Sequence, residues 1–148
     1  MFRLTSPAFE HGQEMAQKCG KRAQNMSPPL AWENAPEGTK GFAIALVDRH
    51  PVARNYLHWL VDGIDPQRRS LEEGAASGPG GLAGAREFQP YVGPFPPSGT
   101  HDYEFTIYAL DTQTLDLRRN ASLEEFTRVA EAHSLATATL VGKFTKLG

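Results

Sequence analysis

Two groups able to donate hydrogen bonds or move a proton, His101 and Tyr103, end the run Y-V-G-P-F-P-P-S-G-T-H-D-Y between Tyr91 and Tyr103. Prolines 94, 96 and 97 fix φ and remove backbone donors, while Gly93 and Gly99 tolerate close approach or positive φ. The loop is therefore stiff. Beyond it His101, Tyr103, Phe105, Ile107 and Ala109 alternate with Asp102, Glu104, Thr106 and Tyr108, so the imidazole and the phenol project from one face at the mouth of a strand. A second histidine, His58, shares a face with Tyr56 in Y-L-H-W-L-V. Two imidazoles and a phenol hydroxyl around a small cavity suit a phosphate, sulfate or carboxylate. Ser98 lies near His101 without a G-x-S-x-G elbow, which argues against a hydrolase triad. The spacing of Asp48, His50, His58 and His101 matches no zinc pattern, so neither a metal site nor another cofactor is expected.

The elements that must position these side chains are mostly strands. Gly41 to Asp48, G-F-A-I-A-L-V-D, is a short apolar run of the length of a buried central strand. After a Pro-bearing connection, Tyr56 to Val61 reads as a second strand with Leu57, Trp59 and Val61 on one face and Tyr56, His58 and Leu60 on the other. Phe2 and Leu4 suit a first strand, and Asn25 to Trp32 a turn leading into an apolar patch. Ser122 with Glu125 forms a capping box before Leu123, Phe126, Val129 and Ala130, which predicts a helix reaching about His133. Ala138, Leu140, Gly142 and Phe144 mark one side of a final strand. Gly74 to Gly84 reads as a flexible surface loop. The expectation is a mainly β domain with a helix near the C-terminus packed on it.

At 148 residues the chain is expected to form a single domain, 1–148, with a core that needs no disulfide. A net charge of -2, with only the short basic clusters Lys18/Lys21/Arg22 and Arg68/Arg69, argues against a nucleic-acid partner. The single cysteine, Cys19, suits a reducing compartment, and no leader or membrane span is read, so a cytoplasmic location is expected.

Four strings in register, N-M-S-P-P-L-A-W, P-E-G-T-K-G-F-A-I-A-L-V-D, L-H-W-L-V and Y-V-G-P-F-P-P-S-G-T-H-D-Y-E-F-T-I-Y-A-L-D, resemble the phosphatidylethanolamine-binding protein family. They match best its bacterial and archaeal Raf-kinase-inhibitor-like branch. The resemblance covers nearly the whole chain. It implies an antiparallel β-sandwich with Greek-key character and a shallow anion pocket. In that pocket Asp48 would take the place of the first Asp of a D-P-D-A-P motif, His58 that of an H-W histidine, and His101 and Tyr103 those of H-R-Y. Tyr56 would form an aromatic wall, and Gly93 and Pro94 would lie in the loop that closes the pocket. It also implies that the chain can pair as a homodimer, as relatives in that branch do.

Two positions depart from the pattern. D-P-D-A-P is here D-R-H-P-V and H-R-Y is H-D-Y, which suggests that a His50/Asp102 pair replaces an Asp/Arg pair. Phe95 stands where many relatives carry Cys, so no thiol is expected at the rim. A lone histidine beside Trp59 is more often a satisfied core residue than a ligand contact, and Asp48 alone a strand-end turn residue. Their joint occurrence is what favours a site. The favoured reading is a binding protein, not an enzyme, for a small anionic ligand or phosphorylated headgroup, with Asp48 holding one imidazole while His58, His101 and Tyr103 cradle the anion. A protein-interaction regulator, such as a kinase or protease inhibitor, ranks second, and an enzyme using His58 and His101 as acid and base third.

Overall fold

The computed structural model describes residues 1–76, 82 and 84–147. Along the chain run β1 (Arg3–Thr5), β2 (Leu30–Glu33), β3 (Gly41–Asp48), β4 (Tyr56–Ile64), β5 (Ser70–Leu71), β6 (Arg86–Gln89), β7 (Thr100–Leu110), α1 (Leu123–His133) and β8 (Ser134–Thr145). They form a three-stranded sheet, β1-β2-β5, and a five-stranded sheet, β6-β4-β3-β7-β8, with antiparallel ladders throughout.

β3 is buried at every position because it lies in the middle of the larger sheet and both its faces are covered. Toward the smaller sheet, Phe42, Ile44 and Leu46 join Trp59, Phe105 and Ile107 against Phe2, Leu4, Leu30, Trp32 and Leu71. Toward the helix, Ala43 and Ala45 join Leu60, Tyr108 and Leu110 against Phe126 and Ala130. A strand covered on both faces has no polar side to alternate with, hence its unbroken apolar sequence. Burial of Phe126, which has no solvent exposure, stabilises the helix contact by roughly 1.5–3 kcal/mol.

The capping box is formed: Glu125 N–H donates to Ser122 Oγ at 3.1 Å and Ser122 N–H to Glu125 Oε1 at 3.2 Å. α1 runs into β8, which is longer than its alternation suggested. The outer edge of β8 near the site is covered by residues 12–15, through Gly12 N–H to Val141 O, Lys143 N–H to Gln13 O and Met15 N–H to Lys143 O at 2.7–2.9 Å.

Some expectations need correction. Leu30–Glu33 is a strand, as are the short β5 and β6, none of which alternation revealed. The loop expected from Gly74 to Gly84 falls largely on residues outside those described. The strict alternation read for β4 fails at a bulge: Leu46 pairs with Trp59 while Val47 pairs with Leu57, leaving His58 as the extra residue. Trp59 and Val61 pack toward the smaller sheet, whereas Leu57 and Leu60 pack toward the helix. His58 and Trp59 therefore share a side, which is how a bulge re-aims a side chain.

At the far end of β4, Asp62 is fully buried and satisfied. Arg86 grips it through Nε and Nη2 at 3.0 and 2.8 Å, and Leu115 N–H donates to Oδ2 at 2.7 Å. Arg86 also donates to the Leu115 and Leu117 carbonyls and lies 4.7 Å over the Phe88 ring. Among the described residues, no helix is long and apolar enough to cross a membrane.

Candidate functional site

The β3–β7 ladder ends at the pair Asp48↔Tyr103, and β7 extends three residues further, to Thr100, pairing His101 with Phe144 of β8. The overhang leaves His101 beyond the end of β3, with room for side chains from the next turn. Asp48, at that last rung, sends Oδ1 to the His50 N–H at 2.9 Å and Oδ2 to His101 Nδ1 at 2.7 Å. The first contact turns the chain into the 3₁₀ turn Pro51–Ala53, where His50 Nδ1 accepts from Val52 N–H at 3.1 Å. The second holds a nearly inaccessible imidazole in one orientation. The His50 ring stacks on that of His101, centroids 3.9 Å apart and planes 11° from parallel.

His58 reaches the same place from β4. A carbonyl can only accept, so the 2.6 Å contact between His58 Nδ1 and Val92 O requires a proton on Nδ1 and leaves Nε2 bare when the ring is neutral. Burial lowers the pKa of His58, partly opposed by the Val92 carbonyl and by Asp48. Its ring meets Tyr103 edge to face at 5.2 Å. The Tyr103 hydroxyl is buried and has no hydrogen-bond partner among the described residues. Asp48 and the Phe95 backbone act on it electrostatically without meeting it in hydrogen-bonding geometry, and burial, with Asp48 adding, pushes its pKa up strongly.

These groups line a cavity of about 250 Å³ with Val52, Ala53, Tyr56, Phe95, Pro96 and Pro97. Asp48, His58, His101 and Tyr103 are thus brought together, with Tyr56 at the mouth. Gly93 and Pro94 are not among the lining residues. They hold the loop instead: Gly93 N–H donates to Asn25 Oδ1 at 2.6 Å and the Pro94 carbonyl accepts from Lys21 N–H at 3.0 Å. Any side chain at Gly93 would run into the Cys19 carbonyl, so only glycine fits there. That carbonyl also accepts from Tyr91 Oη at 2.9 Å.

The expected His50/Asp102 pair does not form. Asp102 alternates to the opposite face of β7 and bonds Lys143 Nζ at 2.8 Å, while His50 turns inward onto His101. The resemblance put Phe95 at the rim, where it lines the cavity, but sequence reasoning missed the apolar walls from Val52, Ala53, Pro96 and Pro97. The P-F-P-P run signalled stiffness but not which side of the loop faced inward. Among the lining residues there is no Ser, Thr, Cys, Lys or Arg. The chemistry on offer is hydrogen bonding and proton exchange at two imidazoles, two phenols and a carboxylate.

The chain is thus an antiparallel two-sheet sandwich with a buried polar cluster, partly unsatisfied among the described residues, at the end of its central ladder. The chain belongs to the phosphatidylethanolamine-binding protein family, whose description matches residues 5–145. It is 36% identical over 129 residues to a UPF0098 protein of Methanothermobacter thermautotrophicus, covering 83% of this chain and 85% of that one. It is also 36% identical over 135 residues to the UPF0098 protein YbhB of Escherichia coli, covering 85% of each. Its fold is similar to the crystal structure of E. coli YbcL, a member of the same family, with a TM-score of 0.86, 27% identity and 99% of both chains covered.

Proposed function

We propose that the protein binds a small ligand through a phosphate- or carboxylate-type headgroup and does not turn it over. The observation that carries this reading is a cavity lined by His58, His101 and Tyr103, beside which the buried Tyr103 hydroxyl has no hydrogen-bond partner among the described residues. A buried donor left unsatisfied costs about 1–3 kcal/mol, and a ligand oxygen removes that penalty on binding. Asp48 orients His101, the Val92 carbonyl orients His58, and Tyr103 donates. The neutral His58 offers a lone pair, so a bare anion binds with proton uptake and affinity for it rises toward acid pH. Buried Cys19, its thiol pushed up to about 11 by burial, is unreactive and compatible with a cytoplasmic setting.

The test is an NMR titration of the histidine side chains with phosphate and with phosphoethanolamine, on wild type and on His101→Ala. Saturable shifts at His58 and His101 that vanish in the variant are expected. Unmoved histidine signals at every ligand concentration would contradict the reading. A regulator that docks on a protein is the second reading, because Val52 and Tyr56, 64% and 46% exposed, flank the mouth. Partner binding that survives His101→Ala but not Tyr56→Ala would favour it.

A further inference from the structure

Behind the Phe95–Pro97 wall, on the side away from the histidines, lies a second concavity of about 400 Å³. Its lining combines Pro94, Phe95, Pro96, Pro97, Phe144 and Leu147 with the cations Arg22 and Lys146. A third cation, Lys21, places Nζ 4.6 Å over the Phe95 ring. The three arrive from two parts of the chain: Lys21 and Arg22 from the turn after Cys19, Lys146 from just beyond β8. Backbone bonds fix both, Lys21 N–H to Pro94 O at 3.0 Å and Lys146 N–H to Gly99 O at 2.8 Å. The groove is therefore built on the same stiff loop as the ligand pocket but shares none of its titratable groups.

Its charge is uncompensated among the described residues. Elsewhere Lys18, Arg49, Arg86 and Lys143 meet Glu73, Glu104, Asp62 and Asp102 at 2.6–2.9 Å. Among the described residues Lys21, Arg22 and Lys146 have no carboxylate within ion-pair distance. Glu14, whose carboxylate accepts from the Thr145 hydroxyl, is a nearby acid but forms no ion pair with them. On a chain of net charge -2, three exposed cations that form no ion pair among the described residues, set around an apolar floor, form a local reversal of sign.

We infer that this groove docks an acidic peptide segment carrying a large apolar residue, with the apolar side chain against Phe144, Leu147 and the prolines and flanking carboxylates on Arg22, Lys146 and Lys21. The apolar floor supplies burial, and the rim charges supply orientation and encounter rate. Proline faces keep their shape on binding, so little ordering of the receptor is required.

The experiment is fluorescence anisotropy with a labelled peptide of sequence Glu-Glu-Phe-Glu-Leu-Glu, compared with its Gln-for-Glu analogue, on wild type, on the double variant Arg22→Glu/Lys146→Glu and on His101→Ala. The expected result is binding of the acidic peptide that weakens on the order of tenfold or more in the charge-reversed variant. It should survive His101→Ala and be largely lost near 1 M salt, where the Debye length is about 3 Å. Lys146→Gln alone, a change at an exposed position, should give a smaller loss in the same direction. Equal binding of the Gln analogue, no binding by wild type, or loss in His101→Ala with retention in the charge-reversed variant would overturn the inference. The last outcome would place the peptide in the anion pocket. Association with vesicles of anionic lipid and not with the peptide would likewise overturn it, in favour of a membrane surface.

Discussion

A buried carboxylate lies at each end of β4, Asp62 on the strand itself and Asp48 on β3 opposite Tyr56, and the two are treated in opposite ways. At the far end Asp62 receives two bonds from Arg86 and one from the Leu115 amide, and Arg86 passes two further donors to carbonyls. The buried carboxylate there is fully paired with protein, so the cluster joins β4, β6 and the segment before α1. At the near end Asp48 holds His101 and the His50 amide, yet beside it Tyr103 keeps a hydroxyl without a partner among the described residues. The difference teaches how to tell a structural polar cluster from a binding one: not by burial, which both have, but by whether the donors and acceptors balance within the protein.

That comparison can be broken most severely at the saturated end. Arg86→Leu strands a fully buried carboxylate and is expected to lower stability by about 3–5 kcal/mol in urea unfolding, with the anion affinity of the remaining folded protein unchanged. Near-wild-type stability would mean that Asp62 is readily hydrated or protonated. Asp48→Ala is expected to be milder, about 1–3 kcal/mol, because the His101 side chain loses one partner beside a cavity. Unlike Arg86→Leu, it should abolish phosphate binding, since His101 is no longer oriented.

The pH dependence sharpens the contrast further. Burial lowers the pKa of His58, so the unfolded chain takes up a proton near pH 6.5 that the folded site resists. The contribution of His58 to stability is therefore full above about pH 6.5 and is lost as the pH falls toward its folded pKa. In His58→Gln that part of the acid slope should disappear. Saturating phosphate should oppose the slope in wild type, because the bound anion favours the protonated ring. The smallest effect belongs to the surface: Lys143→Ala removes a half-exposed partner of Asp102 and should change stability by no more than about 1 kcal/mol.

Much of the scaffold was legible because its patterns are local. The apolar run of β3, the alternation of β7 and the Ser122/Glu125 box each encode one element, and each forms. Neither the bulge at His58 nor its consequence was legible. Period-two reading assigns His58 and Trp59 to opposite faces, and only the cross-strand register with Leu46 and Val47 reveals that they share one. The His50/Asp102 pairing failed for a related reason. Residues near each other across a ladder interact only if their side chains leave the same face, and Asp102 leaves the opposite face from His101, on which His50 stacks. The walls supplied by Val52 and Phe95 depend on how two loops fold back, which spacing along the chain does not record.

The most direct test of the account is one variant measured twice. Tyr103→Phe removes the unpartnered hydroxyl and nothing else, so stability and phosphate affinity should move in opposite directions. Urea unfolding is expected to show no loss, or a gain of up to about 1 kcal/mol, while the phosphate affinity falls roughly three- to tenfold. A variant that unfolds more easily yet binds phosphate as tightly as wild type would show that the hydroxyl serves the fold and that the near end of β4 is no more a binding site than the far one.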